Sequence, residues 1–283
     1  MDKKYLLSLV SGLLLVPAVS QADYFTEFEL NHTKSEFETN SSEKETTSNA
    51  LLGTIYFSDV KTENVPLAEA AFLSKASSLS LVYGQGEYER KGSPTEEESD
   101  IFGISGEIFI SDASLYLAAS YLKEDIEAKR DGETEEDSVK IKSAAIGGII
   151  GNNVIVFASY EKFEELKSFG PAVKAVIPFS NQAISLEGSI QYLKLDAPFV
   201  DDDSGVELAF RGNYYFSPGY GVGIHWGYRD IADADTLSVG IQASAYFTEN
   251  IGIEASYTSA DWENDYENEE DIDTISLSGI VRF

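Results

Sequence analysis

Residues 206–229 read Val-Glu-Leu-Ala-Phe-Arg-Gly-Asn-Tyr-Tyr-Phe-Ser-Pro-Gly-Tyr-Gly-Val-Gly-Ile-His-Trp-Gly-Tyr-Arg. Val206, Leu208, Phe210, Gly212, Tyr214 and Phe216 alternate with Glu207, Ala209, Arg211, Asn213 and Tyr215. After the tight turn Ser217-Pro218-Gly219, Tyr220, Val222, Ile224, Trp226 and Tyr228 alternate with Gly221, Gly223, His225, Gly227 and Arg229. Successive side chains of a strand point to opposite faces, so this is a hairpin with one apolar and one polar face. Each arm runs about ten residues or more. Strands of soluble sheets are usually ~5–6 residues long, whereas ~9–11 cross a bilayer when tilted.

Working outward, the same pattern recurs. Leu237 to Phe247 and Ile251 to Tyr257 alternate in the same way, and so does the last strand, Ile275, Leu277, Gly279, Val281 and Phe283 against Thr274, Ser276, Ser278 and Arg282. The upstream chain repeats it less cleanly, and the periodicity predicts about 14 strands, with 12 or 16 compatible with the even-number rule for single-chain barrels. Short turn-like connections (111–113, 151–153, 180–182, 217–219, 248–250) alternate with longer acidic ones (38–48, 91–99, 129–137, 199–204, 230–235, 261–272). Barrels place short turns in the periplasm and longer loops outside. Two connections break the rule. Residues 59–76 are long where a short turn is due, and Pro66 followed by Leu67-Ala68-Glu69-Ala70-Ala71-Phe72-Leu73 reads as a short helix or a plug-like turn. Near Gly170-Pro171 a short turn falls where a loop is due.

The amino terminus opens Met1-Asp2-Lys3-Lys4, continues with an apolar run from Leu6 to Val16 and closes with Ser20-Gln21-Ala22. A basic head, an apolar stretch shorter than the ~20 residues of a spanning helix and small residues at a cleavage point make a secretory signal peptide over 1–22. The expected domain is then one barrel over 23–283. The chain has no cysteine and two histidines, which removes disulfides, thiolate metal sites and polyhistidine sites. With 43% hydrophobic residues and no long apolar run after residue 22, a membrane address is met by strands, because only alternate residues must face lipid. The formal net charge is -29, and removal of Asp2, Lys3 and Lys4 (net +1) leaves -29 − 1 = -30. This disfavours nucleic acid and favours cations.

With 14 strands ~4.8 Å apart and tilted ~40°, the backbone diameter is ~28 Å and the opening inside the side chains ~10–15 Å. The polar parity nominates Glu27, Glu29, Glu107, Lys140, Lys142, Lys174, Glu187, Glu207, Arg211, His225, Arg229 and Glu254 as lumen residues. Charges at mid-membrane depth must face water or each other, so they form either a transverse field for solutes or a paired network that fills the barrel. The acidic loop clusters are either divalent-cation ligands or a solvated surface, and no metal or other cofactor is assigned. His32 and His225 sit in no nucleophile motif, so no catalytic residue is named and the chain is not read as an enzyme.

The connection at 56–73, Tyr-Phe-Ser-Asp-Val-Lys-Thr-Glu-Asn-Val-Pro-Leu-Ala-Glu-Ala-Ala-Phe-Leu, with the terminal Arg282-Phe283, resembles porin-type outer-membrane barrels, in particular a group of porins from marine gammaproteobacteria. The terminal Phe283 is similar to the signal read by the barrel-assembly machinery. The resemblance implies an all-β, antiparallel up-and-down barrel in the outer membrane, with outer-membrane lipid and lipopolysaccharide as surroundings. The expected function is passive diffusion of small hydrophilic solutes or ions, favouring cations at an acidic mouth. A structural or adhesive barrel with a closed lumen is the alternative. No long constricting loop is visible on the third hairpin, which favours a monomer over a trimer.

Overall fold

A computed structural model describes residues 24–39, 42–90, 96–130, 133–196, 203–232, 234–264 and 269–283. The expected signal peptide lies outside the described residues. Fourteen strands form one closed antiparallel barrel in which each strand pairs with its sequence neighbours and β1 pairs with β14. They are β1 (Tyr24–Thr39), β2 (Ser42–Val60), β3 (Ser78–Arg90), β4 (Glu96–Ile110), β5 (Leu115–Arg130), β6 (Glu133–Ile150) and β7 (Val154–Phe163). The second half holds β8 (Leu166–Phe179), β9 (Gln182–Leu195), β10 (Asp203–Ser217), β11 (Tyr220–Ile231), β12 (Ala234–Thr248), β13 (Ile251–Asn264) and β14 (Glu269–Arg282).

The apolar parity lies outside. Leu30, Leu51, Leu81, Ile104, Ile146, Ile190, Ile224, Ile241 and Ile275 are all exposed, as side chains facing lipid must be. On the inner face the register places Ser, Thr, Asn, Gln and charged residues opposite one another, for example Asn31↔Ser278 and Ser120↔Ser143. The strands run from 10 to 19 residues, and most of them overshoot the bilayer, because 15 residues at ~3.3 Å and ~40° tilt already exceed the ~30 Å hydrocarbon core. The overshoot corrects the expected loop boundaries. Much of the acidic sequence at 42–48, 96–99 and 133–137 is strand, not loop. There Lys34 pairs with Glu36 and Glu45 at 2.9 Å each, and Lys44 reaches Glu270 at 2.8 Å.

The turn expected at Gly170-Pro171 is also corrected. The chain reverses at Glu164-Glu165, with Glu164 at φ 49, and Phe163 pairs Leu166. Glu-Glu carries no turn signal, whereas Gly-Pro does. The Gly170-Pro171 pair sits inside β8, where Pro cannot donate to the ladder, and the β8–β9 pairing skips from Phe169↔Tyr192 to Ala172↔Ser189. A Cβ at Gly170 would lie 1.9 Å from the Ile190 carbonyl oxygen. Gly170→Val should therefore push β8 off β9 at a cost of about 1–3 kcal/mol, seen as a lower midpoint for conversion of the folded to the unfolded electrophoretic band on heating. An unchanged midpoint would remove this account of the dipeptide.

Candidate functional site

The lumen is divided by its own chain. The connection between β2 and β3 folds into the turn end of the barrel as a 3-10 turn, Leu67–Glu69, continued by helix α1, Ala70–Ser74. Proline at 66 starts it, and Lys75 in the left-handed region (φ 52) ends it, its N–H bonding the Phe72 carbonyl at 3.1 Å. Leu67, Ala68, Glu69, Ala70, Ala71 and Phe72 are all buried. Leu67, Ala68 and Phe72 join a cluster with Tyr116 of β5, Ile155 of β7, Val176 of β8, Ala183 of β9, Tyr215 of β10, Tyr246 of β12 and Ile280 of β14. Ala70 and Ala71 pack with Tyr24 of β1 and with Tyr56 and Val60 of β2. The segment thus touches wall strands around the circumference.

Polar contacts fix this plug. Glu69 accepts from the Tyr215 hydroxyl at 3.1 Å and pairs with Lys174 at 3.0 Å, while Lys174 also holds Glu187 at 2.7 Å. The Leu67 N–H donates to the Pro218 carbonyl at 2.7 Å. Lys174 stands 5.0 Å from the Phe72 ring centroid and Lys75 3.8 Å. Burial, and then the nearby Lys174, lower the pKa of Lys75 to about 8. Two tyrosines owe their inward position to glycine. A Cβ at Gly221 would lie 2.5 Å from the Tyr215 ring, and one at Gly252 would lie 2.4 Å from Tyr246. Both rings therefore lie flat over glycine on the next strand and leave room for the plug. The two hairpins share the same spacing, tyrosine followed six residues later by glycine.

A second network closes the seam. Glu27 and Arg282 are register partners, 2.7 Å apart and 1% exposed each. Arg282 donates to the Tyr246 hydroxyl at 2.9 Å, and that hydroxyl donates to Glu254 at 2.9 Å. Arg282 also stacks 4.3 Å from the Tyr246 ring. The backbone adds Phe283 N to Thr26 O at 2.9 Å and Phe25 N to Phe283 O at 2.8 Å.

Of the residues nominated from sequence, Glu27, Glu29, Glu107, Lys174, Glu187, Glu207, Arg211, His225, Arg229 and Glu254 lie on the inner face. Glu107 accepts from Tyr116 at 3.1 Å. Arg229 donates to Glu207 at 2.6 Å. His225 meets Thr258 at 2.8 Å across β12, where Gly240 leaves space for its ring. Arg211 stands in register between Glu187 and His225, with no carboxylate at ion-pair distance among the described residues. Lys140 and Lys142 are corrected: both are exposed on the outer face of β6, while Val139 and Ile141 point inward. The local Val-Lys-Ile-Lys alternation suggested the reverse, but apolar residues occupy both parities of β6, and above the lipid belt an outward lysine meets water. The plug residue Glu69 and the inward tyrosines were not nominated. The tyrosine–glycine spacing is the signal that identifies Tyr215 and Tyr246.

Residues 2–131 match the family model described as "Putative general bacterial porin". No curated protein matches the sequence. Among solved structures, the outer membrane protein Omp33 of Acinetobacter baumannii aligns over 93% of this chain and 100% of its own, with 22% identity and a TM-score of 0.58. The translocator domain of the autotransporter NalP of Neisseria meningitidis (11% identity, 99% of this chain and 94% of its own, TM-score 0.46) and OccK8 of Pseudomonas aeruginosa (9% identity, 94% and 100%, TM-score 0.42) are more distant.

The seam gives a direct test of the buried network. Arg282→Met leaves Glu27 charged and unpaired, and should cost about 3–5 kcal/mol in urea unfolding from micelles. Adding Glu27→Gln should restore most of that loss, and a double variant as unstable as the single one would refute the pairing. The chain folds as a closed 14-strand antiparallel β-barrel with an apolar outer belt, similar in fold to the outer membrane protein Omp33, and its first half, residues 2–131, is similar to the general bacterial porin family.

Proposed function

We propose that the barrel is a diffusion channel for small hydrophilic solutes and ions, favouring cations, and that the β2–β3 plug is its gate. The observation that carries this reading is the contrast between the plug and the wall. The plug is held by side-chain burial, the Glu69 contacts and one backbone bond to Pro218. The wall is held by backbone ladders that run between every pair of neighbouring strands and close on themselves. A segment bound through a few side chains can leave without opening the sheet, and the lumen beyond it is lined by hydroxyls and amides. Thr33–Ser276, Ser35–Thr274 and Ser120–Ser143 pairs at 2.7–2.9 Å present such a surface to water.

Cation preference rests on where charge is left over. Lys174, Arg229 and Arg282 are each neutralised by a wall carboxylate. Glu29 and Glu254 add negative charge near the seam, and the outer hairpins carry most of the remaining acids. Arg211 opposes them from β10 and would limit the selectivity. A charged mouth concentrates counter-ions even where the narrow part is mixed.

The plug equally motivates a second reading, a barrel with a permanently closed lumen and a structural or adhesive role. Planar-bilayer recordings of the mature protein separate the two. Glu69→Ala frees the plug while the Lys174–Glu187 pair stays, and should raise open probability several-fold. Replacement of residues 66–74 by a Gly-Ser linker should give long-lived steps with a reversal potential on the cation side. A folded barrel that stays silent even without the plug would sink the channel reading.

A further inference from the structure

The outer wall carries a second charged feature, and it has the opposite sign to the rest of the chain. Lys123, Lys140, Lys142, Lys162, Lys167 and Lys194 all lie on the outward parity of β5–β9. They face one another directly across strands, as Lys123↔Lys140, Lys142↔Lys162, Lys162↔Lys167 and Lys167↔Lys194. Like charges directly opposed destabilise a sheet, and the protein relieves only part of this. Lys123 pairs with Asp125 at 2.6 Å, and Lys167 and Lys194 share Asp196 at 2.5 Å each. Lys140, Lys142 and Lys162 have no carboxylate at ion-pair distance among the described residues. With 20 Lys and Arg against 49 Asp and Glu in the chain, six adjacent lysines with three unpaired need a partner from outside.

Their height identifies it. Two residues nearer mid-membrane on the same face stand Tyr121, Ala144, Tyr160, Phe169 and Tyr192, the aromatic and apolar edge of the lipid belt. Two residues of strand are ~6.6 Å, which puts the ammonium groups at the depth of lipid headgroups. The wall is also low here, since β7 and β8 turn over at Glu164-Glu165, directly beyond Lys162 and Lys167. To either side the outward face above the belt turns acidic, with Glu87, Glu98 and Asp100 on β3–β4 and Asp230, Asp235 and Asp261 on β11–β13. An anionic headgroup is repelled from those arcs and attracted to this one.

We infer that the outer face of β5–β9 is a binding site for the phosphorylated glycolipid of the outer leaflet, the lipid A part of lipopolysaccharide, with Lys140, Lys142 and Lys162 holding its phosphates. Lysine binds phosphate as a point charge, and a row of them spans more than one phosphate of a bisphosphorylated headgroup. Acyl chains would lie on the apolar belt below. This site is independent of whether the lumen conducts.

The test is native mass spectrometry of the mature barrel in micelles, titrated separately with bisphosphoryl lipid A, phosphatidylglycerol and inorganic phosphate. The wild type should bind lipid A ahead of the other two. Lys140→Gln/Lys142→Gln/Lys162→Gln should weaken that binding by about tenfold or more. Lys34→Gln, which removes an outward lysine already paired with two glutamates, should leave it unchanged. The shift of the folded band on heating confirms that each variant is folded, and conductance should not change. Equal binding of lipid A by wild type and triple variant overturns the site. Equal binding of phosphatidylglycerol and lipid A by the wild type, or displacement of lipid A by inorganic phosphate at comparable concentration, overturns the assignment to a bisphosphorylated glycolipid.

Discussion

Closure of β1 onto β14 is the constraint on which everything else here depends. In hydrocarbon an unpaired strand edge leaves a row of N–H and C=O groups without partners, at several kcal/mol each. The first and last strands must therefore find each other, although the 13 register pairs join residues from 270 − 39 = 231 to 282 − 27 = 255 positions apart in sequence. One slip of register would turn every lipid-facing side chain inward. The Glu27–Arg282 pair sits in that seam, buried to 1% exposure on both sides. A displaced register leaves two charges unpaired beneath the plug. The pair is thus better understood as fixing the register than as a source of net stability, since burying two ions recovers little beyond its desolvation cost.

The same seam joins wall to plug. Arg282 reaches Tyr246, Tyr246 lies over Gly252, and its flat ring forms part of the floor on which Leu67 and Phe72 pack. Two strands along the wall, Tyr215 does the same over Gly221 and donates to Glu69. Both glycines give up a side chain on the polar parity so that a large ring can turn sideways. The aromatic residues of this barrel therefore do two separate jobs. Tyr214, Tyr228 and Tyr257 face out toward the interface, as their parity indicates. Tyr215 and Tyr246, on the opposite parity, shape the interior.

The fold was legible because its signal is redundant. Strand number, antiparallel order and the periplasmic turns follow from a period of two repeated along the whole chain, and no single misplacement disturbs them. The reversal at Glu164-Glu165 was not legible, since a left-handed Glu carries no composition signal and the neighbouring Gly-Pro carries a strong one. The plug was half legible. Pro66 and the run after it announce a helix, but the burial of that helix depends on tyrosines and glycines from strands far away in sequence. The ends of the acidic hairpins were hidden for another reason: above the membrane both faces of a strand are wet, so alternation disappears while the ladder continues.

The lysines of β6 show what parity alone leaves out. A period of two says that Lys140 and Lys142 share a face, but not which face, and it does not give their depth. Depth decides the cost. An outward lysine at mid-membrane would cost about 2–4 kcal/mol, and one near the interface about 0–1. Ala144, Ile146 and Ile150 follow on the same parity and can only be the lipid face, which places both lysines outside and above it. Across β6–β9, Ala144, Tyr160, Phe169 and Tyr192 stand in register two residues below Lys142, Lys162, Lys167 and Lys194. Anchoring the alternation at the belt and counting upward recovers the lysine row from sequence, whereas judging each strand by its own most regular stretch inverts it. The charged residues of this barrel therefore divide by height as well as by face: largely paired within the lumen, opposed and partly unpaired in the lysine row of β5–β9, and largely acidic above the lipid.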